Sequence, residues 1–210
     1  MDPAGLDRRA AVFGERLPLA ERYAELLVTA GIERGLLGPR EAARVWDRHL
    51  LNSAALADLV GRGASVIDLG SGAGLPGIPL TIARPDLSIV LLEPMARRVQ
   101  FLTECIDSLH LGDQVAVCHD RARPGATAPA DVVVARAVKP LAGLLELAEP
   151  LLRPGGELLA LKGVSAAKEI AALPPRWRSR AEVLTLVGAA GPATVVRVTW
   201  HARQQREAMR

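Results

Sequence analysis

Apolar residues fall along this chain in two rhythms. From about Leu6 to Val60 they recur at helical spacing, most clearly in Leu17 to Val28 and Arg40 to Val60, and nothing there reads as a convincing strand. From Val66 onward short apolar runs take over. Val66 to Leu69, Leu87 to Leu92, Val115 to Cys118, Asp131 to Ala135 and Gly156 to Lys162 are bounded by Gly, Pro or Asp and predict buried strands. Between them lie helical crossovers entered near Pro76, at Pro94 and at Pro140, the last running from Pro140 to Leu152 and ending before a Pro154-Gly155-Gly156 turn. Two further β-rich runs, Ala181 to Val187 and Thr194 to Trp200, are joined by the Gly188 to Pro192 loop and predict an antiparallel terminal pair. The expected fold is α/β and Rossmann-like: a mostly parallel seven-stranded sheet with a C-terminal antiparallel hairpin and an N-terminal helical extension. Residues 1–62 form the helical segment, 63–202 the sheet domain and 203–210 a tail, with fraying expected from His201.

The first strand collides with an acid and then with glycines, in Asp68-Leu69-Gly70-Ser71-Gly72-Ala73-Gly74-Leu75-Pro76-Gly77. Glycines at a strand's carboxyl end allow a turn at positive φ and let a ligand lie against main-chain amides. A phosphate cradle needs a basic residue, and this loop has none. Asp68 would repel a pyrophosphate but suit the ammonium of an amino-acid moiety, which S-adenosylmethionine has. The string Gly72 to Gly77 also satisfies the dinucleotide pattern G-x-G-x-x-G, but the turn begins earlier, at Gly70, and two prolines stand at the helix entry. The second strand ends in Glu93, about 20 residues on, where an acid reaches ribose hydroxyls.

Composition narrows the partners. A chain of 210 residues suits one domain with a sizeable core. With 26 Lys and Arg against 23 Asp and Glu, the net charge of +3 leaves a nucleic-acid partner to a local patch. Such a patch is foreshadowed by Arg121, Arg136, Lys139 and Lys162, which follow or end the third, fourth and fifth strands. Two cysteines, Cys105 and Cys118, without a C-x-x-C pair, indicate neither a zinc site nor a disulfide framework and suit a reducing cytoplasm. The polar first ten residues and the lack of any long apolar run predict a protein with no membrane span. No metal and a monomer are expected. In Arg44 to Ser53, Arg48 and Asn52 share one helix face, and His49 and Ser53 another. His49 alone suits packing or capping as well as binding, and Trp46 suits the core. A buried thiol suits Cys118, since pyrimidine C5 methylation needs a Pro-Cys motif that is absent; adenine methylation needs an Asn/Asp-Pro-Pro-aromatic tetrad, unlike Arg136-Ala137-Val138-Lys139.

The segment Asp68 to Leu80, with its Leu75-Pro76-Gly77-Ile78-Pro79 extension, resembles the glucose-inhibited division protein B family, as do Arg48-His49-Leu50-Leu51-Asn52-Ser53 upstream and Arg136-Ala137 and Leu161-Lys162-Gly163 downstream. The resemblance spans roughly Arg16 to Thr199, and Tyr23 to Asn52 look most like actinobacterial members. It implies a class I S-adenosylmethionine-dependent methyltransferase that modifies guanine N7 in the 16S RNA of the small ribosomal subunit. It further implies methyl-donor contacts at Gly70, Leu75, Glu93, Ala122 and Arg136, to which Asp68, Gly72, Gly74 and Arg123 are added from the loop and the third strand's end. Arg123 is a departure, because the family usually has an acid there. Gly35-Leu36-Leu37-Gly38 likewise replaces a Tyr-Asn-Leu-Thr pattern of many members. Arg136 and Lys162 are expected to orient the base or its phosphate as the catalytic pair, with Arg48, His49, Ser53, Arg121 and Lys139 on the RNA side. A methyltransferase for a small molecule or protein, or a non-enzymatic RNA-binding module, would share the glycine loop.

Overall fold

The computed structural model describes residues 3–136 and 139–200. The expected tail, and Ala137 and Val138 of the fourth strand's exit, lie outside them.

Seven strands form one sheet: β1 (Ser65–Leu69), β2 (Ser88–Leu92), β3 (Val115–Cys118), β4 (Ala130–Arg136), β5 (Leu152–Lys162), β6 (Ala181–Leu186) and β7 (Ala193–Thr199). Their order is β3-β2-β1-β4-β5-β7-β6. The pairs among β1 to β5 are parallel, and β7 runs antiparallel to both β5 and β6. The order reverses between β1 and β4, the switch point at which open α/β sheets bind ligands outside the strands' carboxyl ends. Apolar runs such as Val132, Val133, Val134 and Ala135 suit a central strand covered on both faces, and all four are buried.

Helices supply that cover. One core cluster joins Tyr23, Leu27, Leu50 and Leu56 of the N-terminal segment to Val66, Val134 and Leu161 of the sheet and to Phe101 and Leu102 of α5 (Ala96–Leu109). The other packs Leu141, Leu144 and Leu145 of α6 (Leu141–Ala148) with Trp177 and Trp200 against the opposite face. The N-terminal segment therefore shares the core of the sheet.

Two expectations are corrected and a third is borne out in finer detail. Pro154-Gly155-Gly156 is not a turn that precedes the fifth strand: β5 starts at Leu152 and carries these residues as an irregularity, with a register shift between Ala130 and Val132 on β4. Gly155 takes φ 85°, and a Cβ on Gly156 would stand 2.9 Å from the Asp131 carbonyl, so the small residues serve a bulge. β3 is an edge strand in which only Val115 is buried. The run from Arg40 to Val60 is helical but irregular, passing from a 3-10 segment (Pro39–Arg44) through wide π turns (Val45–Leu51) to α3 (Asn52–Ala54) and a second 3-10 segment (Ala55–Asp58).

Candidate active site

Beyond Leu69 the chain turns through Gly70 (φ 71°), Gly72 (φ 59°) and Gly74 (φ 96°) before entering α4 (Gly77–Ala83). Two of these glycines serve opposite ends. Where a Cβ would stand on Gly72 the nearest atom is the Gly70 carbonyl at 3.8 Å, so the loop stays open for a ligand to lie on its backbone. A Cβ on Gly74 would meet the Ile78 side chain and, at 2.9 Å, the Tyr23 hydroxyl. Here the loop closes on α2 (Leu17–Leu26), and buried Tyr23 donates its hydroxyl to the Ala73 carbonyl at 2.7 Å. Burial raises the Tyr23 pKa well above its ordinary value, so the phenol remains a donor.

Asp68 lies beneath the loop. It is fully buried, its Oδ2 accepts the Gly77 N–H at 2.8 Å, and its Oδ1 has no hydrogen-bond partner. Desolvation pushes its pKa up to about 7, against the pull of the Gly77 amide. Glu93 is also buried, with Oε2 accepting the Gly72 N–H at 2.9 Å and Oε1 the Met95 N–H at 3.0 Å. It ties the glycine loop to the corner after β2. An ionised carboxylate has about four acceptor positions; the two amides take two, and Arg98 Nη1 stands 3.5 Å from Oε2.

Arg136, at the end of β4, reaches back to the N-terminal segment. Its guanidinium donates to the Ser53 hydroxyl at 3.3 Å, the His49 carbonyl at 3.5 Å and His49 Nδ1 at 2.7 Å. Two cavities meet at this side chain. The smaller, about 230 Å³, is lined by Gly70, Ser71, Gly72, Ala73 and Leu75 with Leu36, Leu37, His49, Arg98 and Arg136. The larger, about 570 Å³, is lined by Arg44, Arg48, Arg136 and Lys162 with Asp47, Asn52, Leu161, Gly163 and Pro192. Four cations and one carboxylate line this second cavity, with Arg48 and Lys162 in turn paired to Glu41 and Glu169.

The residues marked in the sequence divide accordingly. Gly70, Gly72, Leu75 and Arg136 surround the smaller cavity, while Arg48, Arg136 and Lys162 line the larger. His49 and Ser53, expected on the RNA side, are both buried and turned onto Arg136, and His49 also lines the smaller cavity. Lys162 is not a free cation, since its Nζ donates to Glu169 Oε2 at 2.8 Å and to the Lys139 carbonyl at 2.9 Å. Arg121, Arg123 and Lys139 line neither cavity; Arg123 is held by Asp120 at 2.6 Å, because a pairing three residues away in the same turn captures it. Ala122 packs against the core cluster that covers the sheet face of Ile67, Leu92 and Val133. Arg44, Asp47, Arg98, Glu41 and Glu169 went unmarked. Arg44 carried a signal, four residues before Arg48 on a helical segment; the others are brought in by packing alone.

A Rossmann-like sheet with an antiparallel seventh strand inserted beside the fifth, a glycine loop after β1 and a buried acid after β2 define the class I S-adenosylmethionine-dependent methyltransferases. The sheet is shared with a SAM-dependent O-methyltransferase from Thermotoga maritima, at TM-score 0.52 and 16% identity over 72% of this chain and 65% of that one. Residues 16–194 match the family described as GidB, rRNA small subunit methyltransferase G. The ribosomal RNA small subunit methyltransferase G of Mycolicibacterium paratuberculosis is 54% identical over 189 residues, 89% of this chain and 73% of that protein. Its counterpart from Thermobifida fusca is 52% identical over 200 residues, 92% and 84% of the two chains. The chain belongs to the rRNA small subunit methyltransferase G family, as its motifs had implied.

Proposed function

We propose that the protein transfers the methyl group of S-adenosylmethionine to N7 of one guanine in 16S ribosomal RNA. The observation that carries this reading is the meeting of the two cavities at Arg136, one walled by the glycine loop and the other by four cations. The residues fit the methyl donor: an open backbone cradle at Gly72, a buried carboxylate beneath it with an unpartnered Oδ1, and Glu93 with an acceptor position to spare. Gly70, Gly72 and Leu75 would hold it, with Glu93 at the ribose. Bound there, it supplies an electrophilic methyl on a sulfonium.

Guanine N7 carries a lone pair and no proton, so no general base is needed. The protein contributes alignment of acceptor and methyl, an effect that can supply about 7–11 kcal/mol. Arginine's usual guanine contact is bidentate to O6 and N7. Since N7 must face the methyl, Arg136 is left to O6 or an adjacent phosphate. Arg44, Arg48 and Lys162 take backbone phosphates, for which the Lys162 ammonium must share itself with Glu169 or leave it. The reaction so drawn needs no metal and one copy of the chain. In it, residues 1–62 supply one wall of the acceptor cavity and, through Leu36, Leu37 and His49, part of the donor site, 63–202 supply the glycine loop and the rest, and the setting is the cytoplasm, where subunits mature. Among the described residues no helix is long and apolar enough to cross a membrane.

The test is incorporation of labelled methyl into 16S RNA of small subunits from a strain lacking the gene. Label in the RNA of wild-type reactions, and its loss in Arg136→Ala, supports the assignment. Label in ribosomal protein or a small molecule alone refutes it.

A further inference from the structure

His49 occupies a position with no room for an incidental histidine. It is 5% exposed, and both ring nitrogens are engaged: Nδ1 with Arg136 Nη2 at 2.7 Å and Nε2 with Glu41 Oε2 at 2.9 Å. A guanidinium only donates, so Nδ1 must accept and carries no proton; the ring proton is on Nε2 and is donated to Glu41. The two contacts together assign the neutral Nε2–H tautomer. Among the described residues no carboxylate pairs directly with Arg136, whose charge instead meets a ring nitrogen, a hydroxyl and a carbonyl. The guanidinium thus keeps its full charge toward the two cavities while its direction is fixed from behind.

We infer that Glu41 and His49 form a relay that positions Arg136 between donor and acceptor, and that the relay works only while His49 is neutral. The inference rests on the functional reading above for its consequence in methyl transfer, though not for its geometry. Protonation of Nδ1 would set an N–H against an arginine N–H at 2.7 Å and one cation against another, so the hold on Arg136 is lost. The charged groups that face the ring are Arg48 from its own π turns, Glu41 from the preceding 3-10 segment and Arg136 from β4. Burial and the Arg136 charge lower the His49 pKa from its ordinary 6.5, and Glu41 opposes them. Arg48, at 3.2 Å from Glu41 Oε2, shares that carboxylate and also lines the acceptor cavity. A phosphate that draws Arg48 away leaves Glu41 wholly to His49.

Two readouts test this. Nitrogen-15 NMR of the cofactor-free protein should show His49 with an unprotonated Nδ1 at pH 7.5, and a titration midpoint below 6.5. A protonated Nδ1, or a midpoint above 6.5, overturns the relay whatever the enzyme methylates. The second readout is the pH profile of kcat with donor and RNA saturating. Wild type should show an acid limb below pH 6.5. In His49→Asn, whose side-chain oxygen can replace Nδ1 as an acceptor but cannot titrate, that limb should vanish. His49→Ala should lower kcat about tenfold, the effect of one charge-assisted hydrogen bond. Glu41→Gln keeps an acceptor and removes a charge, so the limb should move to lower pH. A limb unchanged in both His49→Asn and Glu41→Gln overturns the inference, even if kcat falls. Absence of methyl transfer by wild type at every pH sinks the functional reading instead and leaves the NMR result to judge the relay.

Discussion

Replacing Tyr23 by Phe isolates one contact between the N-terminal helices and the glycine loop. The ring is fully buried, so Phe keeps its packing and only the hydroxyl is lost. That hydroxyl donates to the Ala73 carbonyl at 2.7 Å, and Ala73 is 8% exposed, which leaves its carbonyl little access to water. Removing one partner of a buried hydrogen bond costs about 1–3 kcal/mol. For a chain of this size each kcal/mol moves the melting midpoint by about 2–4 °C, so a fall of about 2–12 °C is expected. Urea unfolding should show the same loss through its midpoint with an unchanged slope. Ala73 also lines the smaller cavity, and a loop less ordered in the free protein must be ordered by its ligand. Calorimetry should accordingly show S-adenosylmethionine binding weakened about two- to tenfold. Stability within about 0.3 kcal/mol of wild type, together with unaltered donor affinity, would refute the idea that Tyr23 braces the loop.

Four more perturbations probe other parts of the molecule. Because Asp68 has its folded pKa raised to about 7, the folded state binds the extra proton between pH 4 and 7, so this group makes stability fall as pH rises through that window. Asp68→Asn should remove that fall in the cofactor-free protein, and an identical pH dependence in wild type and variant counts against a buried, strained carboxylate. Asp86 has the opposite sign: the hydrogen bonds from Arg84 and the Gly63 amide depress its pKa, so its contribution is present above pH 4 and lost on acidification, and Asp86→Asn should flatten that acid loss. Glu93→Ala should weaken S-adenosylmethionine binding while RNA affinity stays near wild type, and donor affinity that does not change removes Glu93 from the site. If Lys162 meets a phosphate, Lys162→Ala should reduce the salt dependence of RNA binding by about one counterion, with an unaltered slope as the contrary result.

The central strands were legible because burial on both faces demands unbroken apolar runs, as in Val132-Val133-Val134-Ala135. β3 was harder to judge, since an edge strand needs only part of that pattern, and Ala116 is exposed. Pro154-Gly155-Gly156 carries turn chemistry, but the same chemistry serves a bulge within β5, and only pairing with β4 decides between them. The glycine loop announced a ligand, yet the place of Asp68 beneath it, holding Gly77, follows from tertiary packing rather than spacing. Sequence also put Arg121, Arg136, Lys139 and Lys162 at one sheet edge, and Arg123 beside the methyl donor at the third strand's end. Proximity to a strand end does not fix where a side chain points, and local acids such as Asp120 and Glu169 claim two of the five. The helical spacing of Arg48, His49, Asn52 and Ser53 was more informative. It separated the face that lines the larger cavity, Arg48 and Asn52, from the face that holds Arg136, His49 and Ser53.

The most direct measurement is to locate the methyl group itself. Small subunits from a strain without the gene would be methylated with the purified protein, and their 16S RNA treated with borohydride and aniline, which cleave the chain at N7-methylguanine. Primer extension should then show one new stop at a single guanine, absent without enzyme and absent with Arg136→Ala. Incorporated label with no new scission, or scission spread over many guanines, would contradict a site built around Arg136 to present one N7 to the methyl donor.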